Sequence, residues 1–384
     1  MKSDSYLSFV VLFQMIVVTL QLLIPLLGLA SVEQAASIRV LVTLLTYLPG
    51  IIIVLRRNSR ALIVTFVLYF IVLLINYMLF PESHRYIESS AVYSLTPISI
   101  LTALFIISVK KISQFTRMLL YISRFSMVIA LAYVVVYNIS PLRDVEETYN
   151  MSFGYSMLLP AMYLFSQNRL IDKIMSLILL LLIFFGGSRG PAIVLVAFYF
   201  VELFIFGTAK EWKRIIPYLI VVSLVIVLLL PQYVDLESSR TFRLLESGEL
   251  ISHDSNREED AYSLVRPHIW ERPITGWGIG ADRYFVDGSY SHNVFLEIYL
   301  HYGIIIGTFI FAAFFIWYLR LYMSKRIRSL DNGREILVMM FLFGFVPLLV
   351  SGSYLIDFRV GVMFGYLLCI KKNANKEQRK LCYN

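Results

Sequence analysis

Long apolar runs separated by short polar connections dominate this 384-residue chain. Runs long enough to cross a bilayer fall at 8–30, 37–55, 61–80, 91–109, 117–137, 151–167, 170–186, 191–207, 214–231, 291–319, 334–352 and 354–370. This pattern predicts an all-α fold, a polytopic membrane helix bundle of twelve spans. Pro25, Pro49, Pro97, Pro160 and Pro347 lie inside these runs, where neighbouring helices satisfy the carbonyls that proline frees. The expected organisation is one integral membrane domain over residues 1–384. The hydrophilic stretch 232–290 forms one large loop between the ninth and tenth helices.

Composition agrees with the pattern. Apolar residues make up 58% and charged residues 16% of the chain, and mean hydropathy is +0.73, which excludes an ordinary soluble domain. The net charge of +8 changes little: basic loops set orientation and touch anionic lipid, and no nucleic-acid module is present. Cys369 and Cys382 give no disulfide framework and no cysteine metal site. The first apolar run lacks a small-residue cleavage site and reads as an uncleaved span.

Charge assigns sides to the connections. Arg56, Arg57 and Arg60, then Lys110 and Lys111, Arg169 and Lys173, Lys210, Lys213 and Arg214, Lys325, Arg326 and Arg328, and the basic C-terminus occupy alternate connections. Positive connections face the cytoplasm, so both termini are expected there and 232–290 is expected outside. That loop holds Arg240, Arg243, Arg257, Arg266, Arg272 and Arg283 but no lysine. Arginine presents a planar donor fork suited to phosphate or carboxylate. Arg240, Arg243 and Arg257 read as solvated partners of nearby acids.

Candidate chemistry collects on the outer side. Arg189 lies in the Gly186–Pro191 turn, where Pro191 suits the start of a helix whose positive dipole end faces outward. An arginine there asks for an anion. Ser291 is expected to cap the tenth span, leaving His292 and Asn293 in its first turn, where the dipole favours neutral imidazole. Asn293, Glu297 and His301 form one polar stripe, with His301 read as part of a buried hydrogen-bonded seam. Asp357 and Arg359, two residues apart, are expected not to pair. No ligand set with metal spacing is visible, and no metal or other cofactor is expected. The glycines from Gly276 to Gly280 lack a strand–helix unit and read as a tight turn approaching substrate or a helix.

Arg266, Trp270, the run Pro273–Gly280, Ser291–Leu296 and Gly303, together with Ser188-Arg189-Gly190, resemble the signature of the bacterial O-antigen polymerase and ligase superfamily. The resemblance covers residues 170–350. It implies a GT-C-like membrane glycosyltransferase of the bacterial inner membrane, inverting and metal-independent. The donor would be an oligosaccharide on undecaprenyl diphosphate, with membrane lipid, a chain-length regulator and a flippase as further partners. It implies that His292, Arg189 and Arg266 are catalytic. Arg272, Asn293, His268, Arg283 and Trp277 are expected to bind substrate. The expected reaction adds the glycan to another lipid-linked repeat unit, as in O-antigen, capsule or exopolysaccharide polymerisation. A ligase acting on lipid A–core is the alternative. A lipid-linked oligosaccharide flippase, which would show mid-membrane charges and internal symmetry, is the rival of another class.

Overall fold

The computed structural model describes residues 2–140, 151–185, 189–207, 217, 261–330 and 332–382. Every regular element among these is helical. In chain order they are α1 (Ser3–Leu26), α2 (Val32–Leu79), α3 (His84–Ile87), α4 (Ser90–Tyr93), α5 (Leu95–Ile107), α6 (Ile112–Ile139), α7 (Met151–Phe165), α8 (Leu170–Phe185) and α9 (Arg189–Val201). Then come α10 (Ser263–Glu271), α11 (Asp282–Phe285), α12 (Val294–Met323), α13 (Lys325–Arg328), α14 (Gly333–Gly344) and α15 (Phe358–Cys382). Among the described residues, five helices are long and apolar enough to cross a membrane: Ser3–Leu26, Val32–Leu79, Ser90–Ile107, Ile112–Tyr137 and Val294–Met323. Met151–Phe165 and Gly190–Phe206 are shorter apolar helices. The chain is therefore a membrane protein of helical construction. The expected span 214–231, apart from Pro217, lies outside the described residues, as do loop residues 232–260 with Arg240, Arg243 and Arg257.

The spans expected at 37–55 and 61–80 fall in one helical run, α2, whose interior holds a single non-helical residue, Asn58 (φ −144°, ψ 45°). No glycine or proline interrupts Arg56–Arg60, so helical bonding resumes at once on either side. The break is tied down locally. Asn58 donates to Ser108 Oγ at 2.7 Å and Arg57 to the Ser108 carbonyl at 3.0 Å.

The chain divides into two compact units, residues 1–50 with 111–251 and residues 51–110 with 252–384. In the first, α7 is the centre: every residue from Phe153 to Phe165 is buried. Hydroxyls join its neighbours without charge, as Thr19 on α1 meets Ser156 on α7 at 3.0 Å and Ser176 on α8 meets Tyr199 on α9 at 2.7 Å. Arg124, itself partly exposed, grips the buried Asp172 through both oxygens at 2.8 and 2.9 Å.

In the second unit α15 lies along α5. A Cβ at Gly361 would stand 2.1 Å from the Ser99 carbonyl oxygen, and one at Gly365 would stand 2.8 Å from Ala103 Cα. Small residues four apart therefore let two apolar helices touch at backbone distance. Ser99 Oγ adds a bond to the Asp357 carbonyl at 3.1 Å. Beside this seam a cavity of about 280 Å³ is lined by Tyr69, Tyr86, Ile279, Tyr354, Leu355 and Phe364 among others.

Candidate functional site

The site in the second unit is built on a broken helix. Gly303 interrupts α12 with φ 78° and ψ 162°, a conformation open to glycine because it lacks a Cβ. The turn Pro273–Gly280 fills that interruption. Trp277 N–H donates to the Leu300 carbonyl at 2.8 Å, Gly278 N–H to the His301 carbonyl at 3.1 Å, and Ile305 N–H to the Pro273 carbonyl at 3.1 Å. The polar backbone groups exposed by the break are thus satisfied by the loop, as a buried backbone requires. A Cβ at Gly276 would lie 2.4 Å from the His301 carbonyl oxygen, so the glycine is what admits the contact. The expectation of a tight turn close to a helix is met, and the helix is α12.

Around this joint an aromatic layer holds α10 against α12. Trp277 Nε1–H donates to the His268 carbonyl at 2.7 Å, and the His268 ring stacks on Phe285 with centroids 4.0 Å apart. Its Nδ1 lies 3.1 Å from Glu271. The Arg272 guanidinium covers the Trp277 ring at 3.7 Å and reaches Glu82 at the same distance. Val265, Ile269, Ala281 and Leu300 make the buried apolar floor.

Below that layer lies a charged core. Asp282, Arg283, Glu297 and His301 are 0%, 6%, 1% and 1% exposed, so each group's partners decide whether it is tolerable there. Arg283 Nη1 contacts Asp282 Oδ1 at 2.5 Å and Glu297 Oε1 at 3.0 Å, while Nη2 donates to Ser353 Oγ at 2.7 Å. Ser353 Oγ also donates to Glu297, and the Tyr354 N–H reaches that carboxylate at 3.2 Å. His301 Nε2 lies 2.9 Å from Asp282 Oδ1 and its Nδ1 lies 2.9 Å from the Tyr354 hydroxyl. Asp282 Oδ2 accepts the Ser291 N–H at 3.0 Å. Burial alone would push the Asp282 carboxyl up, but Arg283 and His301 beside it and the Ser291 N–H more than offset this and hold it below the usual range. Arg283 is opposed by burial in the same way, and Asp282 and Glu297 raise it above the usual arginine value. Asp282, Glu297 and His301 each offer a ligand atom within 4.8 Å of one another, but the Arg283 guanidinium already bridges the two carboxylates.

The polar stripe on α12 is therefore the hydrogen-bonded seam expected for His301, extended to Glu297. Two expectations are corrected. The cap of α12 is Asn293, not Ser291: its side-chain oxygen accepts the Phe295 and Leu296 N–H groups, and its amide donates to the Leu349 carbonyl at 3.3 Å. His292 therefore precedes the helix, with φ 56°, instead of lying in its first turn. The helix begins at Val294, so Asn293 and not Ser291 adjoins its first turn, and the Ser291 hydroxyl donates to the Asn293 carbonyl at 3.3 Å. Asp357 and Arg359 do pair, through Arg359 Nε to both carboxylate oxygens at 2.8 and 2.9 Å. The i, i+2 exclusion holds inside a helix, and Asp357 stands just ahead of α15.

The other expected site residues are placed as follows. His292 meets the Tyr290 ring at 4.2 Å between centroids. Arg266 is exposed on α10, its guanidinium 5.9 Å from the Tyr262 ring. Arg283, expected to bind substrate, is buried with its guanidinium engaged by protein groups. Arg189 opens α9 in the first unit; its side chain and Gly186–Ser188 lie outside the described residues. Sequence reasoning missed Ser353 and Tyr354 as partners of the charged core. The usable signal was Glu297 and His301 in an apolar helix, since ionisable groups there demand partners.

No curated protein and no solved structure matches the chain. The model of the family described as O-antigen ligase matches residues 174–312, from α8 to the middle of α12, including the joint and the charged core. That match supports the O-antigen polymerase and ligase superfamily as the family of this membrane protein.

Proposed function

We propose that the protein is an inverting glycosyltransferase that polymerises lipid-linked oligosaccharide repeat units at the outer face of the bacterial inner membrane. The observation that carries this reading is the family match over 174–312, with the His292-Asn293 motif at the head of a membrane-length helix. In the proposed step a hydroxyl of the acceptor sugar attacks the anomeric carbon of the donor. The new carbon–oxygen bond forms as the bond to undecaprenyl diphosphate breaks, and the electron pair leaves with the diphosphate. His292, in the neutral form this role requires, takes the hydroxyl proton, a contribution of about 10²–10⁴-fold in such reactions.

Positive charge toward the diphosphate is assigned to Arg189 and Arg266, with Arg272 joining them, in place of a metal. For Arg189 this rests on the resemblance alone. Arg272 is half exposed on its Trp277 platform and retains donors to offer. His268 and Trp277 back that platform and line the sugar side. Arg283 and Asn293 have their polar groups engaged by protein and take supporting parts in place of substrate contacts. The cavity beside Tyr86 and Tyr354, almost wholly apolar, suits the lipid portion. The acceptor distinguishes polymerase from ligase, which would deliver the glycan to lipid A–core.

The test is to incubate purified protein with undecaprenyl diphosphate-linked repeat units and resolve the lipid-linked products by mass. Longer glycan from the wild type, absent with His292→Ala and Arg189→Ala, is the expected result. Product only when lipid A–core is supplied would make it a ligase. Movement of intact lipid across vesicles without a new glycosidic bond would replace the enzyme by a flippase.

A further inference from the structure

His292 sits in the left-handed region at φ 56°, a strained conformation for a non-glycine residue that persists only where surrounding contacts over-determine it. Both residues just before it are gripped by one pair of side chains. Asp282 Oδ2 accepts the N–H of Ser291 at 3.0 Å. The Arg283 guanidinium stands 5.6 Å from the Tyr290 ring, and that ring packs on His292 at 4.2 Å. Behind them the pair is immobilised from three sides. His301 holds Asp282 Oδ1, Glu297 and Ser353 hold Arg283, and the Tyr86 ring lies 5.0 Å from the guanidinium. On the far side of His292, Asn293 is fixed by its own cap and by the Leu349 carbonyl.

We infer that Asp282 and Arg283 are positioning residues for His292, acting through Ser291 and Tyr290 and using the turn-on-helix joint as their anchor. This rests on the reading of His292 as the base. The pair does not reach the reacting atoms. It restricts the imidazole to one placement, and a displacement on the order of 1 Å in such a group costs about 10²-fold. A purely architectural core would stabilise the unit without selecting a ring position, and it would have no reason to clasp the two residues adjoining a strained histidine.

The experiment uses the full chain in nanodiscs, labelled with ¹⁵N and ¹³C histidine, the His292 ring signals being identified by their loss in His292→Ala. Asp282→Ala removes the Ser291 acceptor, Asp282→Asn restores an oxygen there, and Tyr290→Leu removes the ring between Arg283 and His292. The His292 signals are expected to shift or broaden in Asp282→Ala and Tyr290→Leu and to recover partly in Asp282→Asn. Under the polymerisation assay kcat falls about 10²-fold in Asp282→Ala and about tenfold in Tyr290→Leu, with KM within about twofold. Asp282→Ala adds no further loss to His292→Ala if both act through one ring. Should Asp282→Ala not fold, Tyr290→Leu carries the same comparison. Unchanged ring signals in the folded variants overturn the inference. Signals that move in a protein whose wild type forms no glycan leave the positioning intact and sink the enzymatic reading instead.

Discussion

Two seams in the second unit solve one steric problem with opposite chemistry. Along α5 and α15, Gly361 and Gly365 bring two apolar helices to backbone contact, and dispersion between well-fitted surfaces is what holds them. At the joint, Gly276 and Gly303 bring a polar turn to a broken helix, and hydrogen bonds and buried charges hold it. The first seam tolerates small errors gradually, because each lost contact is weak. The second is all-or-none, because each buried polar group must be matched or pay desolvation in full. Such a joint suits a site in which one ring must keep one place.

That contrast sets the order of expected effects. Arg283→Ala leaves Glu297 and Asp282 as buried carboxylates without their cation and is expected to cost about 3–5 kcal/mol, read as a lowered unfolding midpoint in detergent. The joint substitution Arg283→Met with Glu297→Met is expected to cost less than Arg283→Ala alone; a larger loss would break the ionic account of this seam. Gly276→Ala puts a Cβ on the His301 carbonyl and is expected to cost roughly 2–4 kcal/mol, about as much as Gly361→Ala on the apolar seam, where a Cβ meets the Ser99 carbonyl. Only the former should also depress kcat.

The pH response separates the seams further. Asp282 is held below its unfolded value, so its contribution is complete above about pH 4 and is lost as the pH falls through the lower folded value. Thermal scans between neutral and acidic pH should show that loss in wild type and its absence in Asp282→Asn, while Gly361→Ala retains the wild-type slope. The smallest effect is expected from Arg85→Ala. Its partner Asp287 is almost fully exposed, and the midpoint should not move measurably.

Hydrophobic run length alone determined that this chain is a helical membrane protein, because a bilayer rewards some twenty consecutive apolar residues whatever they pack against. The sequence also placed His292 beside a helix start and marked Gly276–Gly280 as a turn, since glycine spacing and a polar interruption are local signals. It did not show that Asn293 would take the cap from Ser291, for that depended on the helix starting at Val294, within reach of the Asn293 side-chain oxygen. Nor did it show that Arg283 would turn inward to Glu297 and Ser353, 14 and 70 residues away along the chain. A buried charge chooses its partners by what the finished packing brings within hydrogen-bond reach, and that is settled only when the turn closes on the broken helix.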